Sequence, residues 1–340
     1  MTISILLLLA ILSVIFCILN IILNGKTKYW EILTIIPIQI EILILVALCI
    51  ISIITKEFVS LTLFIVSILS LIPYLDFTFF VPKNNKEKND CSTISFLDMN
   101  TLFFYPSDKS DLIEYINKKD KDIVFLQEAF IPDSIESIKI KKTFPLAKVI
   151  GILDQKFLRT AFEEKYPYMV QGMDRVILSK TPLTIVRDYQ IGKEFGYIVA
   201  KTLIDGKEIH LMNVHMPFID SKKGSLDYTF GYNLRKTAFN ELVKDIEIIE
   251  KDKGLFILSG DFNTAKSSFF ILNLFKKYKE GITEKQLGLH ISWHSEHYPF
   301  WRMDFLFIPQ NESLDYVRTN LIKTKYSDHK GIEAQFILKK

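Results

Sequence analysis

Three apolar stretches at the N-terminus constrain this chain more than any other feature. From Ile3 to Leu23 there is no charge, from Ile32 to Ile54 only Glu41, and from Phe58 to Val81 only Asp76. Each exceeds the roughly 20 residues that cross a bilayer core of about 30 Å, so the sequence predicts three transmembrane helices in residues 1–82. The first stretch has no basic lead-in, and Asn20, Leu23 and Asn24 do not make a small-residue cleavage site, so it reads as a retained span rather than a signal peptide.

The lysines give these spans a direction. Lys26 and Lys28 lie between the first two stretches, Lys56 between the second and third, and Lys83, Lys86 and Lys88 after the third. An odd number of spans puts the first loop and everything C-terminal on one side. That side carries the larger lysine count, which predicts a multi-pass cell-membrane protein with its C-terminal domain in the cytoplasm.

Residues 83–91 are polar and aperiodic and read as a tether, leaving a soluble domain over 92–340. Of 42 basic and 39 acidic residues in the chain, six of each precede Ser92, so the domain keeps the whole chain's balance of +3. That is too mild to announce a polyanion-binding groove. Cys17, Cys49 and Cys91 are too scattered for a disulfide framework or a thiolate metal site. Nothing in the sequence points to a protein partner.

Short β-rich runs recur through the domain: Thr93 to Met99, Asp122 to Leu126, Val176 to Leu178, Gly196 to Ile204, Glu208 to Val214, Leu255 to Leu258 and Met303 to Ile308. Asp205-Gly206 is a hairpin signal. Lys109 to Lys118 and Tyr232 to Glu250 follow helical periodicity. Connections of both kinds predict an α/β fold with two mixed sheets packed face to face and helices outside.

Polar residues stand where several of these runs end. Glu128 offers a hard oxygen ligand at the end of an apolar strand, as Mg²⁺ requires. Asp261 and Asn263, two apart, would face one site if extended. There a carboxylate could take a proton from water beside an amide that donates to phosphate or fixes the carboxylate; an Asx-type turn is the alternative. Asp304 needs a partner on its apolar strand, and His329, next to Asp328, is the candidate. His215, with Asn213, is a second strand-end imidazole, set apart from His210, His290, His294 and His297.

In order and spacing, Asn100, Glu128, Asn213-Val214-His215, Gly260-Asp261-Phe262-Asn263, Arg302-Met303-Asp304 and Ser327-Asp328-His329 resemble the endonuclease/exonuclease/phosphatase superfamily, the fold of DNase I. Leu178-Ser179-Lys180-Thr181-Pro182-Leu183 is similar to its LSxxPL element. The resemblance implies a four-layer α/β sandwich and attack of water on a phosphoester, dependent on Mg²⁺ or Mn²⁺. It implies Glu128 as principal metal ligand with Asn100 and Asp328 beside it, and Asp261 as the group that orients or deprotonates water, with Asn263 as its transition-state partner. Asp304 and His329 become a carboxylate–imidazole pair, and His215 a second imidazole facing phosphate. Leu258 and Ser259 before Gly260 differ from the inositol-polyphosphate 5-phosphatase pattern. The expectation is a membrane-anchored, nuclease-like phosphodiesterase acting on DNA or RNA. A lipid head-group phosphodiesterase and a catalytically silent scaffold are the alternatives.

Overall fold

The computed structural model describes residues 4–34, 36–81, 91–102, 109–129, 155–192, 195–219, 228–293, 301–311 and 313–339. Residues 83–90 of the predicted tether (Lys83, Lys86 and Lys88 included), His294 and His297 lie outside them, and Cys91, expected to end the tether, is already the first residue of a strand.

The N-terminal unit is helical. Helix α1 (Ile5–Leu23) starts at Ser4, whose hydroxyl accepts the Leu7 N–H, and α2 (Lys28–Leu33) starts at Thr27, which does the same for Trp30. Helices α3 (Ile38–Ile54) and α4 (Phe58–Leu71) follow, then a 3₁₀ turn (Ile72–Tyr74). Ala10, Cys17, Ile38, Leu45, Phe64 and Leu71 pack these helices together.

Among the described residues, α1, at 19 residues, is the one helix of the three predicted spans long and apolar enough to cross a membrane. The break before Pro37 divides the second stretch into α2 and a 17-residue α3, and Pro73 confines the third to 14 α-helical residues before the 3₁₀ turn. At about 1.5 Å per residue, α3 and α4 reach about 25 and 21 Å, short of a core of about 30 Å.

The rest of the chain continues as β1 (Phe77–Thr78), β2 (Cys91–Asn100), α5 (Lys109–Lys119), β3 (Ile123–Gln127), α6 (Gln155–Phe162), β4 (Tyr168–Gln171), β5 (Val176–Ser179), β6 (Thr184–Ile191), β7 (Phe195–Ile204) and β8 (Lys207–His215). Then come α7 (Thr229–Lys251), β9 (Leu255–Asp261), α8 (Phe269–Lys277), β10 (Tyr278–Glu280), α9 (Gly281–Lys285), β11 (Gly288–Leu289), β12 (Asp304–Pro309), β13 (Leu314–Ile322) and β14 (Gly331–Lys339). One sheet has the order β13-β14-β2-β3-β5-β4 and the other β10-β12-β9-β8-β7-β6, while β1 and β11 form a small antiparallel ribbon. In each sheet one pair runs parallel, β2 with β3 and β8 with β9.

Alternation along the strands makes four layers. Phe96, Phe125, Leu211, Ile257 and Leu306 point into the core between the sheets. Leu97 and Val124 pack outward on Leu112, Ile116, Leu158 and Phe162 of α5 and α6, and Met212, Leu258 and Phe307 pack on Phe239, Leu242 and Leu274 of α7 and α8. Strands covered on both faces carry near-continuous apolar runs, which is why they are legible in the sequence. The predicted four-layer α/β sandwich, preceded by a helical segment, is the fold observed. Beside the site, β8 and β9 approach so closely that a Cβ on Gly260, at φ +138°, would stand 2.1 Å from the Val214 carbonyl.

Candidate active site

The ends of the parallel strands converge at one edge of the sandwich. Asn100 closes β2 and Glu128 follows β3, while His215 and Asp261 close β8 and β9 side by side in register. Asp304 opens β12 directly opposite Asp261, and His329 stands just before β14. Glu128 has φ +50°, a left-handed conformation that costs a bulky residue of order 1–3 kcal/mol and persists only when its surroundings enforce it. Here they do: Thr101 Oγ1 donates to the carbonyls of Gln127 and Glu128, both at 3.0 Å, and the Ala129 N–H donates to the Asp174 carbonyl.

Asp261, 1% exposed, is the centre of the cluster. Its Oδ1 accepts the Asn263 N–H at 2.8 Å, and its Oδ2 accepts from Asn100 Nδ2 at 3.2 Å. The same Oδ2 lies 3.7 Å from His329 Nε2 and 3.9 Å from His215 Nε2. Burial raises the carboxyl's pKa above the ordinary carboxylate range, against the opposing pull of His329 and His215.

Each imidazole is held from behind. His329 Nδ1 lies 2.9 Å from Asp304 Oδ2, and His215 Nδ1 is bonded to Asp174 Oδ2. Burial lowers the pKa of either ring, but the carboxylates outweigh it and push His215 up to about 9 and His329 up to about 10. Both rings are therefore protonated at neutral pH, with Nε2–H available toward Asp261. Asp174 is not legible as a site residue from its own segment; the need of a buried His215 for a carboxylate partner, the same need that pairs His329 with Asp304, is the signal that points to it.

Beneath the site a buried polar network joins the sheets. Gln127 Nε2 donates to Asp98 Oδ1 (2.6 Å) and Asn213 Oδ1 (2.7 Å), and Ser259 Oγ donates to Asp98 Oδ2 (2.6 Å). Asn213 Nδ2 donates to the carbonyls of Leu126 and Val176. Asn213 thus acts as a cross-sheet clamp, and His215 is the member of its motif that enters the site.

The model of the endonuclease/exonuclease/phosphatase family matches residues 99–329, two thirds of the chain. The chain belongs to this family. As a member, it is a metal-dependent phosphoric ester hydrolase. Among solved structures, SmcL is similar to it with a TM-score of 0.50 at 15% identity, covering 73% of this chain and 99% of SmcL. Sphingomyelinase C from Streptomyces griseocarneus has a TM-score of 0.47 at 15% identity, covering 72% of this chain and 99% of its own. A humanized TDP2 from D. rerio gives 0.47 at 15%, covering 72% and 98%. No curated protein matches the sequence.

The family's metal fits the donors present. Glu128 Oε2 and Asp328 Oδ1 are buried without a hydrogen-bond partner, a costly state for a carboxylate that a cation relieves. Burial pushes the Glu128 carboxyl up to about 7, with His215 and His329 opposing. Ligand atoms of Glu128, His215 and Asp261 lie within 4.8 Å of one another, as do those of Asp261, Asp304 and His329.

Two expected placements differ. Asn263, at φ +50°, is not extended beyond Asp261. It closes an Asx-type turn through its N–H, and its side-chain amide donates to the Met216 carbonyl at 3.0 Å. Asp328 lies outside both groups of converging ligand atoms, and its Oδ2 accepts from Trp293 Nε1 at 3.2 Å.

Proposed function

We propose that residues 92–340 form a Mg²⁺-dependent phosphodiesterase domain in which activated water attacks phosphorus. The observation that carries this reading is the Asp261 carboxylate, set between two imidazoles that are each clamped by a second carboxylate. Glu128 is the principal metal ligand, with Asn100 and the unpartnered Oδ1 of Asp328 beside it; Mn²⁺ suits the same donors. The bound ion supplies positive charge to the phosphate oxygens.

Asp261 Oδ2 orients the water and takes its proton, a task suited to a carboxylate whose pKa burial has raised. Asn263 fixes that carboxylate through its N–H. Protonated His329 and His215 direct Nε2–H to the oxygens on which charge develops. Asp304 and Asp174 hold the rings in orientation. Asp174→Asn leaves the burial of His215 uncompensated, so its pKa falls toward or below the ordinary value of about 6.5. With His215 at about 9, wild-type activity is expected to decline above about pH 9, and in the variant near neutrality, with kcat at pH 8 lower by about tenfold. An unshifted pH–rate profile would remove His215 from this role.

The resemblance makes DNA or RNA the first substrate class. One observation favours the lipid reading: Phe77, Phe79 and Phe80 stand exposed with Leu287 and Leu289 about the β1–β11 ribbon, which leads to Trp293 beside His329. The full chain in phospholipid nanodiscs with Mg²⁺ is given plasmid DNA, RNA, and choline- or inositol-headgroup lipids. Cleavage of one class assigns it, and cleavage of none sinks the reading.

Lysine bias and two sets of contacts support a multi-pass arrangement with the domain cytoplasmic. Ser4 Oγ donates to Glu57 in the α3–α4 turn at 2.6 Å, whereas the loop after α1 bonds to the catalytic domain, so α1 runs between opposite ends of the unit. Local bilayer thinning accommodates short α3 and α4. Fluorescence of a cytoplasm-active protein fused after Lys340 is expected; activity of an alkaline phosphatase fused there instead would reverse the assignment.

A further inference from the structure

The helical unit grips the catalytic domain directly behind Asp261 and Asp304. Asn24 Nδ2 donates to the Ser267 carbonyl (3.2 Å), Lys266 Nζ to the Leu75 carbonyl (3.0 Å), and Ser268 Oγ to Glu31 Oε1. Gly25 lies so near Phe269 that a Cβ on it would stand 2.1 Å from the ring.

Two carboxylates of this unit reach buried arginines. Glu31 Oε1 lies 3.8 Å from Arg235 Nη1. Arg235 in turn donates from Nε to the Pro217 carbonyl (2.9 Å) and from Nη2 to the Asn263 carbonyl (2.6 Å). Asp76 accepts from Arg302 Nη1 at 3.2 Å. The Nη2 of Arg302 bonds to Glu280, and its Nε donates to the Asp304 carbonyl at 3.0 Å. Each guanidinium thus spans from a carboxylate of the helical unit to the main chain of residues that carry the site. Its rigid fork transmits position, which a flexible ammonium would not.

We propose that Glu31 and Asp76 are positioning residues for hydrolysis, holding the Asn263 and Asp304 main chain through Arg235 and Arg302. This rests on the phosphodiesterase reading. Burial lowers Arg235 to about 10, with Glu31 the main opposing charge, so it is still a cation at neutral pH. Without Glu31 that buried cation loses its main counter-charge, leaving only the field of Asp261, and reorienting it releases two carbonyls next to the site. Displacing reacting groups by about 1 Å can cost about a hundredfold in rate.

The test uses the full chain in nanodiscs with Mg²⁺ and bis(p-nitrophenyl) phosphate as a soluble diester. Glu31→Gln and Asp76→Asn are each expected to lower kcat about tenfold or more, with KM changed less than about threefold and the thermal unfolding midpoint retained. Glu31→Asp and Asp76→Glu, which keep the charge, should recover part of the loss. If Glu31→Gln fails to fold, Asp76→Asn decides alone, because Arg302 keeps Glu280. A kcat within about twofold of wild type in the folded neutral variants, or a loss equal to the unfolded fraction, overturns the proposal while leaving the phosphodiesterase reading intact. A wild type inert toward this diester and toward DNA, RNA and the lipids overturns both.

Discussion

Asp261→Asn should lower kcat by about 10³ while the protein stays folded. The amide keeps the shape and can still accept from the Asn263 N–H, so the Asx-type turn survives. It loses the ability to take a proton from water, a contribution of about 10²–10⁴. It also removes the one carboxylate within 4 Å of both Nε2 atoms among the described residues, which weakens the orientation of both rings. Single-turnover kinetics, with circular dichroism to confirm folding, measure the effect. Wild-type turnover in this variant would remove Asp261 from the chemistry.

Removal of divalent cation should abolish turnover, and Mg²⁺ or Mn²⁺ should restore it. Glu128 is half-buried with its Oε2 enclosed and unpartnered, and the proposed ligands are all oxygen donors. The pH dependence has a definite sign. A carboxyl pushed up to about 7 is increasingly protonated below that pH, so proton and metal compete and the Mg²⁺ concentration for half-maximal rate should rise as pH falls from 8 to 6. Full turnover in excess chelator, with no metal in the protein, would exclude the proposed mechanism.

Legibility followed burial. β2, β3, β5, β8, β9 and β12 are covered on both faces, and their apolar runs read within a few residues of the observed ends. β6 gives no apolar run in the sequence because it is an edge strand whose charged and exposed residues, Arg187 and Asp188 among them, dilute any run. β13 and β14 alternate polar with apolar residues. Phe269–Lys277 is helical although rich in Phe, Leu and Ile, since Ser268 caps it and α7 and β12 cover its apolar face. Two of the three apolar stretches give helices shorter than their apolar length implies, because that length ignores Pro37 and Pro73, which set where a helix begins and stops.

At the site, residue types were legible wherever a polar group ended an apolar strand. Asp174 escaped because it sits in the turn before β5. The shared face expected of Asp261 and Asn263 assumed an extended segment, whereas Asn263 has a left-handed backbone and the alternative, an Asx-type turn, is what forms. Asp328 and His329 are adjacent in the chain yet serve different partners, Trp293 and Asp304.

The two imidazole–carboxylate pairs have a thermodynamic consequence. His329 stands just before β14 of one sheet and its partner Asp304 opens β12 of the other; His215 ends β8 of that second sheet and its partner Asp174 stands just before β5 of the first. Both pairs are therefore staples across the seam, and bringing the sheets together takes up protons. With folded values of about 9 and 10 against about 6.5 in the unfolded chain, their stabilisation is complete below about pH 6.5 and fades as pH rises through 9 to 10. The alkaline conditions that discharge the imidazoles also loosen the sandwich that aligns them.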